Sequence, residues 1–172
     1  MASRYPVSPD SGMLEFCQWL EQTSVGTTIR QSLWLFPAIE TIHLLGMAAL
    51  VGTVTVLDLR LLGWAARQRP VSHVAARTIP WAWAGLAVQV VTGALLFSSE
   101  AVKIQGNPAF RLKMLLLLLA GVQALIFQTS MSRRLAQWDE RAALPPVAKI
   151  MGLTSFLLWV GIVTAGRFIG FV

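Results

Sequence analysis

Four long apolar segments, separated by short polar connections, constrain this chain more than any other feature of its sequence. Each reaches the roughly 20 residues that an α-helix needs to cross the hydrocarbon core of a bilayer. Of the 172 residues, 55% are hydrophobic and only 13% are charged, which is more apolar surface than one soluble core can hide. We therefore predict an all-α, antiparallel bundle of four transmembrane helices in a lipid bilayer. One membrane domain covers residues 1–172, with spans at about 32–64, 78–98, 110–131 and 147–170.

A shorter segment, residues 13–22, precedes the first span and has one apolar and one polar face. Its apolar residues recur at helical spacing, while its Glu and Gln residues lie mostly opposite. This pattern predicts a short amphipathic helix in the membrane interface. Upstream, Pro6 and Pro9 interrupt the stretch in which a secretory signal would carry its apolar core, so we expect no cleavable leader.

Prolines and glycines indicate how the spans bend and pack. The first span is longer than a bilayer requires and contains Pro37, where we expect a bend. The second span is predicted to begin near Thr78, which would place Pro80 in its first turn, where a missing N–H is tolerated. The fourth span ends in a GxxxG sequence around Arg167, a candidate seam for close helix packing.

The distribution of Arg and Lys predicts the orientation. The first and third connections, with their adjoining helix ends, carry eight basic residues, and the opposite face carries six. The positive-inside rule then places both termini in the periplasm and the basic connections in the cytoplasm of a bacterial inner membrane. Although the net charge is +6, these residues occur singly or in pairs at the ends of apolar segments. They are typical of membrane anchoring, and we expect no nucleic-acid partner.

A carboxylate and an imidazole within one apolar span mark the candidate site. Glu40, His43 and Met47 are spaced i, i+3 and i+7, so all three lie on one face of the first helix. Ionisable side chains inside a membrane are costly unless they are paired, which makes them functional candidates by default. His43 lies roughly 16 Å below Ser32 along the helix axis, close to the middle of the membrane.

An antiparallel bundle brings three cations into the same half of the membrane as Glu40: Arg111, Lys113 and Arg167. We expect Glu40 to pair with Arg167 or Lys113, and His43 to form the floor of a polar pocket. Further polar groups at middle depth come from Gln89, Thr92 and Gln123. The alternative is that these side chains form only a buried network that fixes the register of the helices.

A b-type haem is the first of three hypotheses for this pocket. His43 would be an axial ligand, and the three cations would face the haem propionates. The second histidine of the chain, His73, lies in the basic connection at the other membrane face, where we expect it to be solvated. The haem would therefore be five-coordinate or take Met47, Met114 or Lys113 as its other ligand.

The second hypothesis is a metal site, with His43 as the metal ligand. Glu40 and His43 would bind a metal such as copper with help from Met47 and Met114, since imidazole and thioether ligands suit Cu(I). In the third hypothesis the pocket takes a small anion or relays protons. The chain has no CxxC, HExxH, Walker or GxGxxG motif, and whether it is an enzyme stays open.

Three stretches carry a resemblance to known families: LWLFPAIETIHLLGMAALVGTVTVLDLRLLG, then P-W-x-W-A-G-L with T-G-A-L-L-F, then GNPAFRLKMLLLLLAGVQALIF. They resemble an uncharacterised family of small bacterial four-helix membrane proteins. The early intramembrane His and the Lys that opens the third span are also similar to membrane protoporphyrinogen oxidases and copper-resistance D-type membrane proteins. That similarity implies a haem, porphyrin or copper connection, with His43 and Lys113 at the matching positions. Gln128 stands where such proteins often carry a further histidine.

Together, these features favour an inner-membrane protein that binds haem, a porphyrin or a redox metal around His43. Such a protein would act in electron transfer and would need a membrane redox partner. The alternative, from a different class, is a structural or accessory subunit of a membrane complex that has no cofactor of its own.

Overall fold

The structure is a computed structural model that describes residues 10–139 and 144–171. Within these ranges the chain is helical and contains no strand. Pro6 and Pro9, on which the expectation about a leader rests, lie outside the described residues, as do the basic residues Arg4 and Arg141. The helices are α1 (Asp10–Gln22), α2 (Ser24–Gln31), α3 (Leu35–Leu62), α4 (Val71–Gln105), α5 (Pro108–Ile126), α6 (Leu135–Asp139) and α7 (Pro146–Phe168).

Four of these helices are long and apolar enough to cross a membrane: α3, α4, α7 and the helix formed by α5 with the π-helical turn that follows it. The π-helical turn is Phe127–Met131, and a 3₁₀ turn, Ser132–Arg134, connects it to α6. The predicted all-α fold with four membrane-spanning helices is confirmed. The chain is thus a multi-pass membrane protein.

Helix α3 occupies the centre of the packing arrangement. It packs along α4 on one side and along α7 on the other, while α5 packs mainly on α7. Helices α4 and α5 are consecutive but make few contacts with each other. One of these contacts is a stack of the Phe97 and Phe110 rings, whose centroids are 5.4 Å apart. The four spans therefore surround a central space whose weakest wall is the junction of α4 and α5.

Glycines allow the central helices to approach closely. A Cβ atom at Gly46 would lie 2.6 Å from Cγ1 of Val88, and one at Gly85 would lie 2.9 Å from Cβ of Leu50. A Cβ atom at Gly152 of α7 would likewise lie 2.9 Å from a backbone oxygen of α3. Small residues at such crossings are the usual way in which membrane helices gain van der Waals contact.

The expected position of Pro80 in a first helical turn and the expected bend at Pro37 are both wrong. Helix α4 begins at Val71, so Pro80 lies inside the helix and not in its first turn. The early turns are not apolar throughout, and hydropathy misses them because they are stabilised by packing against α6 and α3 instead of by lipid. Pro37 lies in the first turn of α3, which begins at Leu35. Its missing N–H would have no partner within the helix there, and no bend results.

The start of α4 is held by a side chain that is distant in sequence. The carboxylate of Asp139 accepts hydrogen bonds from the backbone N–H groups of Val71 and Ser72, the second at 3.1 Å. Beside it, the buried Trp138 belongs to an apolar cluster with residues of α3, α4 and α7. This cluster closes the end of the bundle where the first and third connections lie.

We expect Asp139→Ala to lower the free energy of unfolding by about 1–2 kcal/mol, the usual cost of losing a helix N-cap. The reason is that two N–H groups at the start of α4 would lose their acceptor. Thermal unfolding in detergent, followed by circular dichroism, measures the change. Gln137→Ala, at an exposed position of the same helix, is the control and should shift stability by no more than about 0.5 kcal/mol. Equal melting temperatures for the two variants would contradict the capping role.

Helices α1 and α2 form a hairpin on the opposite end of α4. Cys17 is fully buried, whereas Phe16 and Trp19 of α1 stay exposed, as expected for contact with lipid. The Glu21 carboxylate accepts hydrogen bonds from Val102 N at 2.8 Å and from Arg30 at 3.1 Å. The amphipathic segment is thus docked against α4 through one face and leaves the other free for the membrane interface.

Candidate functional site

The imidazole of His43 is oriented by a hydrogen bond from α3 to α4. Its Nδ1 lies 2.7 Å from Oγ1 of the buried Thr92, and this hydroxyl lies 2.6 Å from the backbone oxygen of Val88. A carbonyl oxygen accepts only, so the single hydroxyl hydrogen of Thr92 goes to Val88. Nδ1 of His43 must then donate to Thr92. In the neutral imidazole this leaves Nε2 with its lone pair.

Helix α4 also fixes the backbone and the ring position of His43. The side-chain amide of Gln89 donates a hydrogen bond to the backbone oxygen of His43. A Cβ atom at Gly93 would lie 3.3 Å from Cε1 of the imidazole, so the glycine lets the ring rest against the α4 backbone. His43 lies about 12 Å from the start of α3 along its axis. The ring is therefore within the span, and the contacts that hold it come from α4.

Lys113 approaches the same region from α5. Its side chain is half-buried and lies against α7, where a Cβ atom at Gly166 would be 3.6 Å from the ammonium nitrogen. Its charge interacts electrostatically with His43. Within the described part of the chain, no hydrogen bond or ion pair engages this ammonium group. His43 of α3 and Lys113 of α5 thus lie toward the same end of the bundle, and Lys113 packs against α7.

The expected ion pair of Glu40 is wrong. Glu40 is exposed, and among the described residues no ion pair joins it to Lys113 or Arg167. Glu40 lies only about 8 Å from the start of α3, where headgroups and water can solvate a carboxylate. The guanidinium of Arg167 instead lies over the ring of Phe171, at 5.1 Å from its centroid.

The other predicted ligands are dispersed. Arg111 is exposed and donates from Nε to the backbone oxygen of Gln105 at 3.1 Å. Met47 is half-buried and Met114 is exposed, and no described contact brings either sulfur to His43. His73 is exposed at the other end of the bundle, in the first turn of α4. No group of three or more His, Cys, Asp or Glu residues that could hold a metal ion occurs in residues 10–139 and 144–171.

Two glutamines predicted as pocket groups serve as links between helices. Gln89 ties α4 to α3 through the backbone of His43, and Gln123 ties α5 to α7 by donating to the backbone oxygen of Met151 at 2.7 Å. A side-chain amide that bonds across a helix interface stabilises membrane bundles, because hydrocarbon offers it no other partner. Two of the predicted polar groups of the pocket, Gln89 and Gln123, therefore have a structural role.

Asp58 is a buried polar residue that our sequence analysis missed. It is only 3% exposed, and its Oδ2 has no hydrogen-bond partner among the described residues. The Ser155 side chain of α7 interacts electrostatically with the Asp58 carboxyl. The signal was present in the sequence as a second acidic residue inside the first apolar span. It lies close to the basic end of that span, where charged residues are common and do not by themselves indicate a site.

A cavity of about 180 Å³ lies between α3, α4, α5 and α7. Its wall is mainly apolar and includes Leu50 of α3, Trp83 of α4, Leu117 of α5 and Trp159 of α7. His43 precedes Leu50 by about two helical turns, and Lys113 precedes Leu117 by about one turn. The His43 and Lys113 pair therefore lies beyond one end of this cavity and does not line it.

Comparison with known proteins gives one match. A family model described as "Family of unknown function (DUF6644)" matches residues 16–172 of the chain. No curated protein and no solved structure matches significantly. The expectation of an uncharacterised family is confirmed. These comparisons lend no support to the similarity with membrane protoporphyrinogen oxidases or copper-resistance D-type proteins, which stays an expectation.

Proposed function

The chain belongs to the DUF6644 family, whose function is unknown, so its activity has to be inferred from its own site, and we propose that it binds haem or a related tetrapyrrole at His43. Nε2 of His43 would be an axial ligand of the haem iron, and Lys113 would face a propionate. Arg111 and Arg167 are exposed at the same end of the bundle and would pair with the other carboxylates of the tetrapyrrole. The resemblance of the His43 and Lys113 positions to membrane protoporphyrinogen oxidases points to the same ligand class.

The tautomer of His43 is the observation that carries this proposal. Histidines that bind metals nearly always donate their other ring N–H to an acceptor, which orients the ring and raises its basicity. Thr92 supplies such an acceptor at Nδ1, at 2.7 Å. With Nδ1 engaged by Thr92, Nε2 is the ring nitrogen that is available to a metal.

The donor set favours haem over a bare metal ion such as copper. A bare ion needs three or four protein ligands, and the described residues contain no cluster of three His, Cys, Asp or Glu side chains. Haem brings four nitrogen ligands of its own and needs only one or two from the protein. Carboxylate-bearing tetrapyrroles also require a cationic partner within an apolar environment, and Lys113 meets this requirement.

The second candidate is an accessory subunit without a cofactor. Its specific support comes from Gln89 and Gln123, which link helices through backbone oxygens. In this case His43 and Thr92 would add one more link between α3 and α4. The ammonium group of Lys113 would extend to the lipid headgroups and would bind no ligand. Removal of His43 would then reduce the stability of the fold and would not change the visible absorption spectrum of the protein.

We also infer that the protein lies in a bacterial inner membrane with both termini in the periplasm. Exposed basic residues at the opposite end of the bundle from His43 support this orientation, and they include Arg67, Arg69, Arg77, Arg134 and Lys149. A haem near the periplasmic side would exchange electrons with a membrane or periplasmic redox partner.

A visible absorption spectrum of protein purified from haem-replete cells tests the proposal. We expect a Soret band in the wild-type protein and its loss in His43→Ala, because the axial ligand is gone. His73→Ala removes the other histidine of the chain and should leave the band unchanged. Size-exclusion chromatography and circular dichroism check that both variants fold.

Two outcomes would contradict haem binding at this site. One is a colourless wild-type preparation that also fails to bind added haem. The other is a Soret band of equal intensity in wild type and His43→Ala. If His43→Ala is colourless but also unfolded, His43→Gly with added imidazole decides, since free imidazole should restore the band only where His43 was a ligand.

A further inference from the structure

We infer that the central cavity is a second site, separate from the His43 site, and that it binds the ring of a lipid-soluble quinone. The cavity is lined by all four spans and has a volume of about 180 Å³. Neither His43 nor Lys113 lines it. The inference does not depend on haem binding and can succeed or fail by itself.

The volume and the wall set the size and shape of the ligand. A dry apolar cavity of about 150 Å³ can take up benzene, so a space of this order accepts one or two fused rings but not a whole tetrapyrrole. Trp83, Phe127 and Trp159 contribute aromatic rings from three different helices to the wall. Offset stacking and edge contacts with these rings favour a flat ligand.

Polar groups in the wall favour a ligand that carries oxygen acceptors. Gln123 and Gln128 line the cavity, as does Trp159. Gln123 uses one amide hydrogen on Met151, whereas no hydrogen bond among the described residues occupies the Gln128 amide or the Trp159 indole N–H. Trp159 is half-buried, so its indole N–H is costly in an apolar wall without an acceptor, which a ring carbonyl would supply. Gln128 is exposed and offers a second donor at the edge of the cavity.

Access from the bilayer is open at the junction of α4 and α5, which make few contacts with each other. The α5 side of the cavity includes three small residues, Ala120, Gly121 and Ala124, and is followed by the π-helical turn Phe127–Met131. Insertions of this kind in α-helices are frequent at functional sites. Here the turn begins at two residues of the cavity wall, Phe127 and Gln128. A quinone with an alkyl tail could enter sideways and leave its tail in lipid.

Binding of menadione to the protein in lipid nanodiscs, measured by calorimetry against empty nanodiscs, tests the inference. Saturable binding is expected for the wild-type protein. Gly121→Phe should weaken it about tenfold or more, equivalent to about 1.4 kcal/mol, because the new ring occupies the cavity. A side chain at Gly121 meets nothing within 4 Å at its Cβ position, so the variant should fold.

Gly52→Phe is the matched control. Gly52 lies on α3, does not line the cavity and also has nothing within 4 Å of a Cβ atom. Its menadione affinity should stay within about twofold of wild type, which is about 0.4 kcal/mol. His43→Ala should likewise retain menadione binding, which separates this inference from the haem proposal.

Three results would overturn the inference. The first is no saturable menadione binding by the wild-type protein. The second is equal affinity in Gly121→Phe and wild type, which would place the ligand elsewhere. The third is equal affinity for methylnaphthalene, which has the same fused rings without carbonyl oxygens and would exclude recognition of a quinone.

Discussion

Gly85→Leu is expected to destabilise the protein by about 3 kcal/mol or more, at or above the upper end of the usual cost of overpacking. A Cβ atom at this position would lie 2.9 Å from Cβ of Leu50 and 3.1 Å from its backbone Cα and N. A backbone cannot move aside as the end of a side chain can, so α3 and α4 must separate. The interface that separates is the one that holds His43 against Thr92, and both stability and the site should be lost.

Gly52→Leu is the control for this experiment. Gly52 is also in a membrane helix, but a side chain there meets nothing within 4 Å. Leucine has a better helix propensity than glycine by up to about 1 kcal/mol, so this variant should be as stable as wild type or slightly more stable. Thermal unfolding and the monodisperse fraction in size-exclusion chromatography measure both variants. If Gly85→Leu melted at the same temperature as Gly52→Leu, the described crossing of α3 and α4 would be wrong.

Thr92→Val is expected to weaken haem binding by about 10- to 100-fold, the usual cost of removing a partner of a metal-binding histidine. Valine keeps the shape of threonine but offers no acceptor to Nδ1 of His43. The buried N–H would be left without a partner, which should also lower stability by about 1–3 kcal/mol. Thr92→Ser keeps the hydroxyl and should recover most of the affinity, which a role in packing alone would not explain.

Spectrophotometric titration with haem measures the affinity of each variant. Thr154→Val serves as the control, because Thr154 also bonds a carbonyl of its own helix, at 2.5 Å from Ile150, but is exposed on α7 and far from His43 in the chain. It should bind haem as wild type does. Thr92→Val with wild-type affinity would refute the orienting role of Thr92, even if the Soret band still depended on His43.

The spans were predictable because lipid acts as the solvent of this chain. A helix in a bilayer satisfies its own backbone hydrogen bonds, so composition and length over a local window are enough to identify it. The boundaries of α3, of α7 and of α5 taken together with its π-helical turn lie within about three residues of those read from hydropathy, which is ordinary for helix ends. The start of α4 was not predictable in this way, because it depends on the packing of Trp138 and on the Asp139 cap, which lie far along the chain.

The candidate site was predictable only in part. A histidine and a lysine in apolar spans are visible in the sequence, and the antiparallel order of the helices indicates that both lie in the same half of the membrane. Which acidic residue is buried was not visible. Glu40 attracted notice beside His43 but is exposed, whereas Asp58 is buried against α7. Both are single charges in one apolar span, and only the packing around that helix distinguishes them.

The sequence by itself determined that this is a multi-pass membrane protein of four helices, since hydrophobicity over about 20 residues is a local property. It also identified His43 and Lys113 as the side chains whose burial would need a reason. Only the tertiary structure decided their relation, because the rotation of each helix about its axis depends on where glycines let neighbours approach. Those contacts turn His43 toward Thr92, place Lys113 against Gly166, and leave Glu40 exposed.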